Sequence, residues 1–257
     1  MTRRLVVLLA ALAVVTSAAA GDQVASYRGE GEAARLFEQY DNDGYSLAVS
    51  PTSGGSIDLA VRVSDSPLES RAPYPTGHPR DRALSAAPAR DAFADRFARG
   101  APTQARAVER ILAGLAAFVR YDPDRVRRQE PSAVFAERHA NCVGLSELAV
   151  DLLRRVGISA RTVQGILRSE PGSAGYDAAI GGAYHRWIEV HYPDRGYVFS
   201  DPSASVNGID ARYLPFGRRA YARPRGLRLV PVSLNGHLGY RSIMAGQVRL
   251  RIRQTEP

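Results

Sequence analysis

Three side chains have the types and the order that thiol chemistry requires. Cys142 is the only cysteine of the chain, and His185 and Asp201 follow it. A cysteine that attacks an amide needs an imidazole to stabilise the thiolate and to protonate the departing amine, and a third group to orient that imidazole. The sequence therefore predicts a nucleophile, a general acid and base, and an orienting carboxylate.

Cys142 opens a predicted helix. Apolar residues recur after it at three- and four-residue steps up to Val156, and Gly157 then ends the pattern. At the first turn of a helix, unsatisfied backbone N–H groups and the positive end of the helix dipole both favour a thiolate. An inert, buried cysteine is the alternative interpretation.

Two acids compete to orient His185, which lies on a predicted strand at 184–192. Glu189 is four residues along that strand, which is about 13 Å at about 3.3 Å per residue. Asp201 ends the next predicted strand, and an antiparallel turn can bring it beside His185 because paired strands lie about 4.8 Å apart. Pro202 biases Asp201 toward extended backbone. We expect Asp201 to orient the imidazole.

A metal site is the rival chemical interpretation, with His139, Cys142, His185 and His191 as ligands. The last two lie six residues apart on one strand, about 20 Å, and a zinc ion with bonds of about 2 Å cannot reach both. The single cysteine also excludes an intramolecular disulfide and a site built from several thiolates. We expect no metal and no cofactor.

The elements around these residues are helices followed by an antiparallel sheet. An amphipathic helix is predicted after Thr103, and the helix of Cys142 follows it. Strands are predicted at 160–167, 184–192 and 197–200, and further strands at 227–232 and 248–252. This order predicts an α+β fold.

In these residues and predicted elements the chain resembles the transglutaminase-like cysteine enzyme superfamily, which includes many bacterial peptidases and the peptide N-glycanases. The resemblance covers about residues 103–207 and rests on three blocks in the family order: CVGLSELA from Cys142, HRWIEV from His185 and DPS from Asp201. It implies a papain-like core in which the cysteine helix packs against an antiparallel sheet. It also implies that Cys142 is the nucleophile, His185 the base and acid, and Asp201 the orienting carboxylate.

The sequence departs from the family pattern at three positions. Ala140 and Asn141 stand where glycine is usual two residues before, and often directly before, the cysteine, and Ser203 replaces the common threonine. Asparagine tolerates left-handed backbone better than most residues, so we expect the turn before Cys142 to be retained.

The resemblance also implies an oxyanion hole. Its first donor would be the backbone N–H of Cys142. The second donor varies within the family; Tyr121 is the candidate here, and Trp187 is a candidate supporting residue that also fits a role in sheet packing.

The rest of the chain predicts an exported protein. Residues 1–20 combine two arginines, an apolar run and three alanines, which is the layout of a secretory signal, and the run is shorter than the about 20 residues of a membrane span. Residues 21–99 contain a β-hairpin around 51–55 and a linker. Residues 100–257 are the expected transglutaminase-like domain with a C-terminal β extension. We expect a secreted or periplasmic protein without an integral membrane span in its mature part.

Composition limits the choice of partner. The apolar fraction of 45% is that of a globular protein, and the formal charge of +8 comes from arginine alone, because the chain has no lysine. For an exported chain this charge favours anionic cell-surface material over nucleic acid. Residues 21–99 fit a pro-segment, an inhibitory cover or a separate β module.

The predicted activity is acyl transfer from peptide or isopeptide amides in a peptide, protein or cell-wall peptide substrate. Hydrolysis is favoured, because water is always present whereas a transferase must exclude it. The alternatives are an amine-accepting protein-glutamine transglutaminase and a catalytically inactive module that binds peptide or cell wall.

Overall fold

The computed structural model describes residues 22–235 apart from 65, 67, 76–83, 125–127 and 218–224. The predicted leader at 1–20 and the predicted strand at 248–252 lie outside the described residues. The helices of the described part are α1 (Pro88–Ala98), α2 (Gln104–Phe118), α3 (Pro131–Glu137) and α4 (Cys142–Arg155). None of these helices is long and apolar enough to cross a membrane.

Two helices carry the predicted apolar faces. Helix α2 begins after Thr103, whose side chain accepts a hydrogen bond of 3.3 Å from the backbone N–H of Arg106. Helix α4 ends before Gly157, which has a φ of 79°. Burying each leucine or isoleucine of these faces stabilises the fold by about 1.5–3 kcal/mol. The fully buried side chains include Ile111, Leu112, Leu115, Leu145, Leu148, Leu152 and Leu153.

A four-stranded antiparallel sheet lies against these helices. Its strands are β7 (Ala160–Arg168), β8 (Gly182–Tyr192), β9 (Gly196–Ser200) and β10 (Tyr213–Pro215), in the order β10-β7-β8-β9. Ile188 and Val190 of β8 share the core of Leu148 on α4. The prediction of an α+β fold, with the cysteine helix packed on an antiparallel sheet, is confirmed.

A second sheet is built from both ends of the described chain. Its strands are β1 (Gln23–Glu30), β2 (Tyr40–Asn42), β3 (Tyr45–Pro51), β4 (Ile57–Val63) and β11 (Arg228–Asn235), in the order β11-β1-β4-β3-β2. Strands β3 and β4 form the predicted hairpin. Strand β11 pairs antiparallel with β1. We call these five strands the N-terminal sheet. A further short pair, β5 (Arg120–Tyr121) and β6 (His139–Ala140), is parallel.

The N-terminal sheet packs on the four-stranded sheet on the side away from the helices. Leu47 and Leu59 of the N-terminal sheet share one core with Trp187, Phe199 and Tyr213. This contact makes the N-terminal sheet part of the same packed structure as the strands that carry His185. The division of the chain near residue 99 stays a prediction.

Candidate active site

The helix that begins at Cys142 is capped by the residue before it. Asn141 is extended, with φ −90° and ψ −170°, and its side-chain oxygen accepts hydrogen bonds from the N–H groups of Val143 (2.9 Å) and Gly144 (3.4 Å). The expectation that the left-handed tolerance of Asn141 preserves this turn was wrong. Asn141 serves as a helix cap, and the left-handed residue is Arg138, which ends α3.

Gln129 is a second acceptor at this helix end, and the sequence analysis missed it. Its side-chain oxygen accepts hydrogen bonds from the backbone N–H groups of Asn141 and Gly144, both at 3.1 Å. A Cβ on Gly144 would lie 2.3 Å from that oxygen, so a larger residue there would displace the Gln129 side chain. Within the described part of the chain, the N–H of Cys142 is the only one of the first helical turn without an acceptor.

His185 and Asp201 meet as the strand pairing predicts. His185 Nε2 lies 2.6 Å from Asp201 Oδ2. The register pairs Ile188 with Ser200, so Asp201 continues β9 to a place opposite Trp187 and is a diagonal neighbour of His185 on the same face. Both side chains are buried, with exposed fractions of 7% and 1%.

The other oxygen of Asp201 is also occupied. Oδ1 accepts hydrogen bonds from the backbone N–H (2.8 Å) and the hydroxyl (2.6 Å) of Ser203, so serine retains the hydroxyl of the family's threonine. Oδ2 accepts a further bond of 2.8 Å from the hydroxyl of Tyr213, which the sequence analysis missed. No local pattern marks Tyr213, because its partner lies on a different strand.

Cys142 interacts with the His185 imidazole closely enough that each group shifts the pKa of the other. Burial opposes ionisation of the thiol, but the hydrogen bond and charge of His185, helped by the backbone of Arg186, hold the pKa of Cys142 below its ordinary value. The three groups therefore form one connected chain from thiol to imidazole to carboxylate.

The electrostatics of the imidazole and the carboxylate are coupled. Burial alone would lower the pKa of His185, but the charge and hydrogen bond of Asp201, with the contact to Cys142, raise it to about 10. Burial would raise the pKa of Asp201, but the charge of His185 and the donors of Ser203 hold it below its ordinary value. This balance favours the thiolate and imidazolium forms over the neutral thiol and imidazole.

Trp187 and Tyr121 both lie close to this chain of groups. The Trp187 ring lies nearly parallel to that of His185, with centroids 6.1 Å apart and an interplanar angle of 21°. Burial raises the pKa of Tyr121, and the charges of Cys142 and Asp201 raise it further, which places the phenol within electrostatic reach of both. The oxyanion role of Tyr121 stays a prediction.

The remaining acids and histidines are not brought together. Glu189 is buried, and it accepts hydrogen bonds from Arg161 and from the Asn42 amide (3.0 Å). His139 Nε2 lies 2.9 Å from a carboxylate oxygen of Asp122. No group of three or more histidine, cysteine, aspartate or glutamate side chains that could hold a metal ion occurs among the described residues.

This geometry agrees with a comparison against protein families. The model of the transglutaminase-like superfamily matches residues 91–202, which include Cys142, His185 and Asp201. Residues 91–202 are a transglutaminase-like domain. It contains helices α2 to α4 and strands β7 to β9; Cys142 begins α4, His185 lies on β8 and Asp201 follows β9.

Several solved structures match the chain at low sequence identity. A candidate cysteine protease from Cytophaga hutchinsonii has 13% identity and a TM-score of 0.42, over 83% of this chain and 87% of that protein. The periplasmic domain of TgpA from Pseudomonas aeruginosa has 16% identity and a TM-score of 0.38, over 71% and 86%. A TGase has 14% identity and a TM-score of 0.35, over 71% of this chain and 48% of its own. No curated protein matches.

Proposed function

We propose that this chain is a thiol acyl-transfer enzyme that hydrolyses peptide or isopeptide amides, with Cys142 as nucleophile, His185 as acid and base, and Asp201 as the carboxylate that orients His185. One observation carries the proposal. The imidazole of His185 lies 2.6 Å from the Asp201 carboxylate through Nε2, and the Cys142 thiol interacts with the same imidazole closely enough that each shifts the pKa of the other. A protein that only binds peptides has no need of this chain of groups.

Acylation would proceed from the thiolate and imidazolium pair. The Cys142 sulfur attacks the amide carbon, a C–S bond forms, and the carbonyl oxygen becomes an oxyanion. The N–H of Cys142, which has no acceptor within the described residues, is available to donate to that oxygen. The C–N bond then breaks, and the proton of His185 passes to the departing amine. The products of this step are a free amine and a thioester on Cys142.

Deacylation would return the enzyme to its starting state. Neutral His185 takes a proton from a water molecule, whose oxygen attacks the thioester carbon, and the C–S bond breaks to release a carboxylic acid and the thiolate. An amine in place of the water would give transamidation. We favour water as the acceptor, because a transferase must exclude water from its cleft and Cys142 is partly exposed.

Export and substrate class form the finer part of the proposal. The charged, apolar and small-residue layout at 1–20 supports secretion or transfer to the periplasm. A protein in that compartment meets peptides, proteins and cell-wall peptides, which carry the amide bonds that a thiol enzyme cleaves. We propose this group as the substrate class.

The test is a peptide library incubated with the enzyme, with and without a primary amine, and read by mass spectrometry. Hydrolysis of a peptide bond gives two fragments whose masses add up to that of the peptide plus water. Transfer to the amine gives an acyl fragment that is heavier than the hydrolysed one by the amine less water, and transamidation of a glutamine side chain adds the amine less ammonia. A Cys142→Ala variant that remains folded by circular dichroism is the control, and we expect it to yield neither product. Turnover by this variant at the wild-type rate would overturn the proposal.

A further inference from the structure

The carboxylate of Asp201 has a full set of donors. Ser203 supplies two of them to Oδ1, and His185 and Tyr213 supply one each to Oδ2. An ionised carboxylate has about four acceptor positions, so no position remains for another donor. Ser203 is two residues from Asp201 and moves with the same turn. Tyr213 lies on strand β10 and, among the described residues, is the only donor besides His185 that ties the carboxylate to a separate strand.

The side chain of Tyr213 is held by packing. Its exposed fraction is 1%. Its ring stands edge-on to Trp187, with centroids 5.3 Å apart and an angle of 83°, and it also contacts His185, with centroids 6.0 Å apart. The Tyr213 ring therefore borders the imidazole while its hydroxyl holds the carboxylate that orients the same imidazole.

The backbone of Tyr213 is held by the N-terminal sheet. Its carbonyl oxygen accepts a hydrogen bond of 2.7 Å from the hydroxyl of Tyr45 on β3. Two residues earlier, the carbonyl of Ala211 accepts a bond of 3.0 Å from the hydroxyl of Tyr27, and its N–H donates to the Gln23 side chain at 3.2 Å. Three side chains of the N-terminal sheet therefore hydrogen-bond to the backbone of residues 211–213, where β10 begins.

We propose that Tyr213 is a positioning residue for the Cys142, His185 and Asp201 site, and that the N-terminal sheet holds it there through Tyr45. The inference rests on the proposed function, since positioning matters only if these residues act together. This inference gives residues 22–63 a role that differs from a removable cover. They hold Tyr213 in place, and Tyr213 holds the Asp201 carboxylate. Loss of the Tyr213 hydroxyl leaves an acceptor position of a buried carboxylate unfilled, which raises the pKa of Asp201.

The experiment measures alkylation of Cys142 by iodoacetamide as a function of pH, together with steady-state kinetics. In Tyr213→Phe the ring packing is kept and only the hydroxyl is lost. Because Asp201 then becomes protonated at a higher pH, we expect the acid limb of the alkylation profile to move up by about 0.5–1 pH unit. We expect kcat to fall about tenfold with KM unchanged, because the group acts through His185.

Two further variants isolate the cause. Tyr45→Phe removes only the bond to the Tyr213 carbonyl, and we expect a smaller shift in the same direction. Tyr192→Phe is the matched control, since Tyr192 is a buried tyrosine in the helix-side core whose hydroxyl donates to Asn207. We expect it to lower the melting temperature without moving the acid limb.

The outcomes separate this inference from the proposed function. The positioning role would be overturned, even if Cys142→Ala is inactive, by either of two results. One is a Tyr213→Phe variant whose alkylation profile and kcat equal those of wild type. The other is a Tyr192→Phe variant whose acid limb moves as far as that of Tyr213→Phe. Turnover by Cys142→Ala would overturn the proposed function, and the alkylation profile would still report whether Tyr213 acts on the thiol. If Tyr213→Phe does not fold, Tyr45→Phe decides: a wild-type profile in that variant overturns the role of the N-terminal sheet.

Discussion

Two buried carboxylates at the four-stranded sheet have partners of different chemistry. Asp201 and Glu189 are each 1% exposed, and each is paired with a cationic or titratable side chain within hydrogen-bond reach. Asp201 faces His185, which in turn contacts a thiol. Glu189 faces Arg161, whose guanidinium stacks 4.0 Å from the ring centroid of Tyr197.

The difference lies in whether the partner can release its proton. A guanidinium stays charged across the whole working pH range, so Arg161 and Glu189 can only attract each other and hold strands β7 and β8 together. Asn42 extends that link to the N-terminal sheet. An imidazole gives and takes a proton, so under the proposed function the buried acid beside His185 orients the group that transfers protons.

The largest expected effect comes from Asp201→Asn. The amide donates a hydrogen bond at one of its two terminal atoms, so it no longer holds the imidazole in the orientation and tautomer that the thiol needs. We expect kcat/KM to fall about 10³- to 10⁴-fold in steady-state hydrolysis of a library peptide. Glu189→Gln is the matched change on the same sheet and should stay within about threefold of wild type. Equal losses in both variants would remove the distinction between the two acids.

His185→Gln tests the thiol side of the comparison. In the wild type His185 lowers the pKa of Cys142, so the thiolate that iodoacetamide attacks forms at a lower pH than it would from an ordinary thiol. Without the imidazole, burial raises the thiol pKa to its ordinary value of about 8.5 or above. We expect alkylation at pH 6 to fall more than about tenfold.

Arg161→Gln provides the control for that measurement. It removes a cation from the other buried carboxylate, and we expect the alkylation profile to be unchanged. A shift in Arg161→Gln similar to that in His185→Gln would contradict a local effect of the imidazole.

Glu189→Gln should affect stability where Asp201→Asn affects catalysis. The substitution removes the negative charge that faces the Arg161 guanidinium. Because the Arg161 side chain is 31% exposed, solvent screens part of the resulting loss of stability. We expect the free energy of unfolding to fall by about 1–3 kcal/mol in urea denaturation. A wild-type denaturation midpoint would mean that the pair does not stabilise the sheets.

The smallest effect is expected at an exposed ion pair. Arg28 and Asp58 are joined at 2.9 Å on the N-terminal sheet, with side chains 50% and 46% exposed. Because water and salt screen such a pair, Asp58→Asn should leave both the melting temperature and the kinetics within error of wild type. A clear loss of stability would show that exposure is a poor guide to which carboxylates matter here.

Local patterns in the sequence predicted a large part of this structure. The apolar stripes of α2 and α4 and the β-hairpin of β3 and β4 follow from short-range patterns, and each appears in the structure where the sequence predicts it. The position of Cys142 at a helix start follows from the stripe after it. The choice of Asp201 over Glu189 needed only the rise per residue of a strand.

Other contacts left no local pattern. Gln129 reaches Asn141 and Gly144 across a separation of 12 and 15 residues, and Tyr213 reaches Asp201 across 12. Tyr45 reaches Tyr213 across 168 residues. Whether such groups meet depends on sheet register and on the packing of two sheets, which no window of neighbouring residues contains.

By itself the sequence established the order of thiol, imidazole and carboxylate, the α+β class and the family resemblance, because these depend on residue type and local period. Only the tertiary structure decided that Asn141 caps the cysteine helix and that Gln129 accepts hydrogen bonds at the same helix end. It also decided that Tyr213 donates a hydrogen bond to the Asp201 carboxylate. Hydrogen bonds require atoms within about 3 Å in a defined direction. Between distant segments that precision arises only when the sheets have packed.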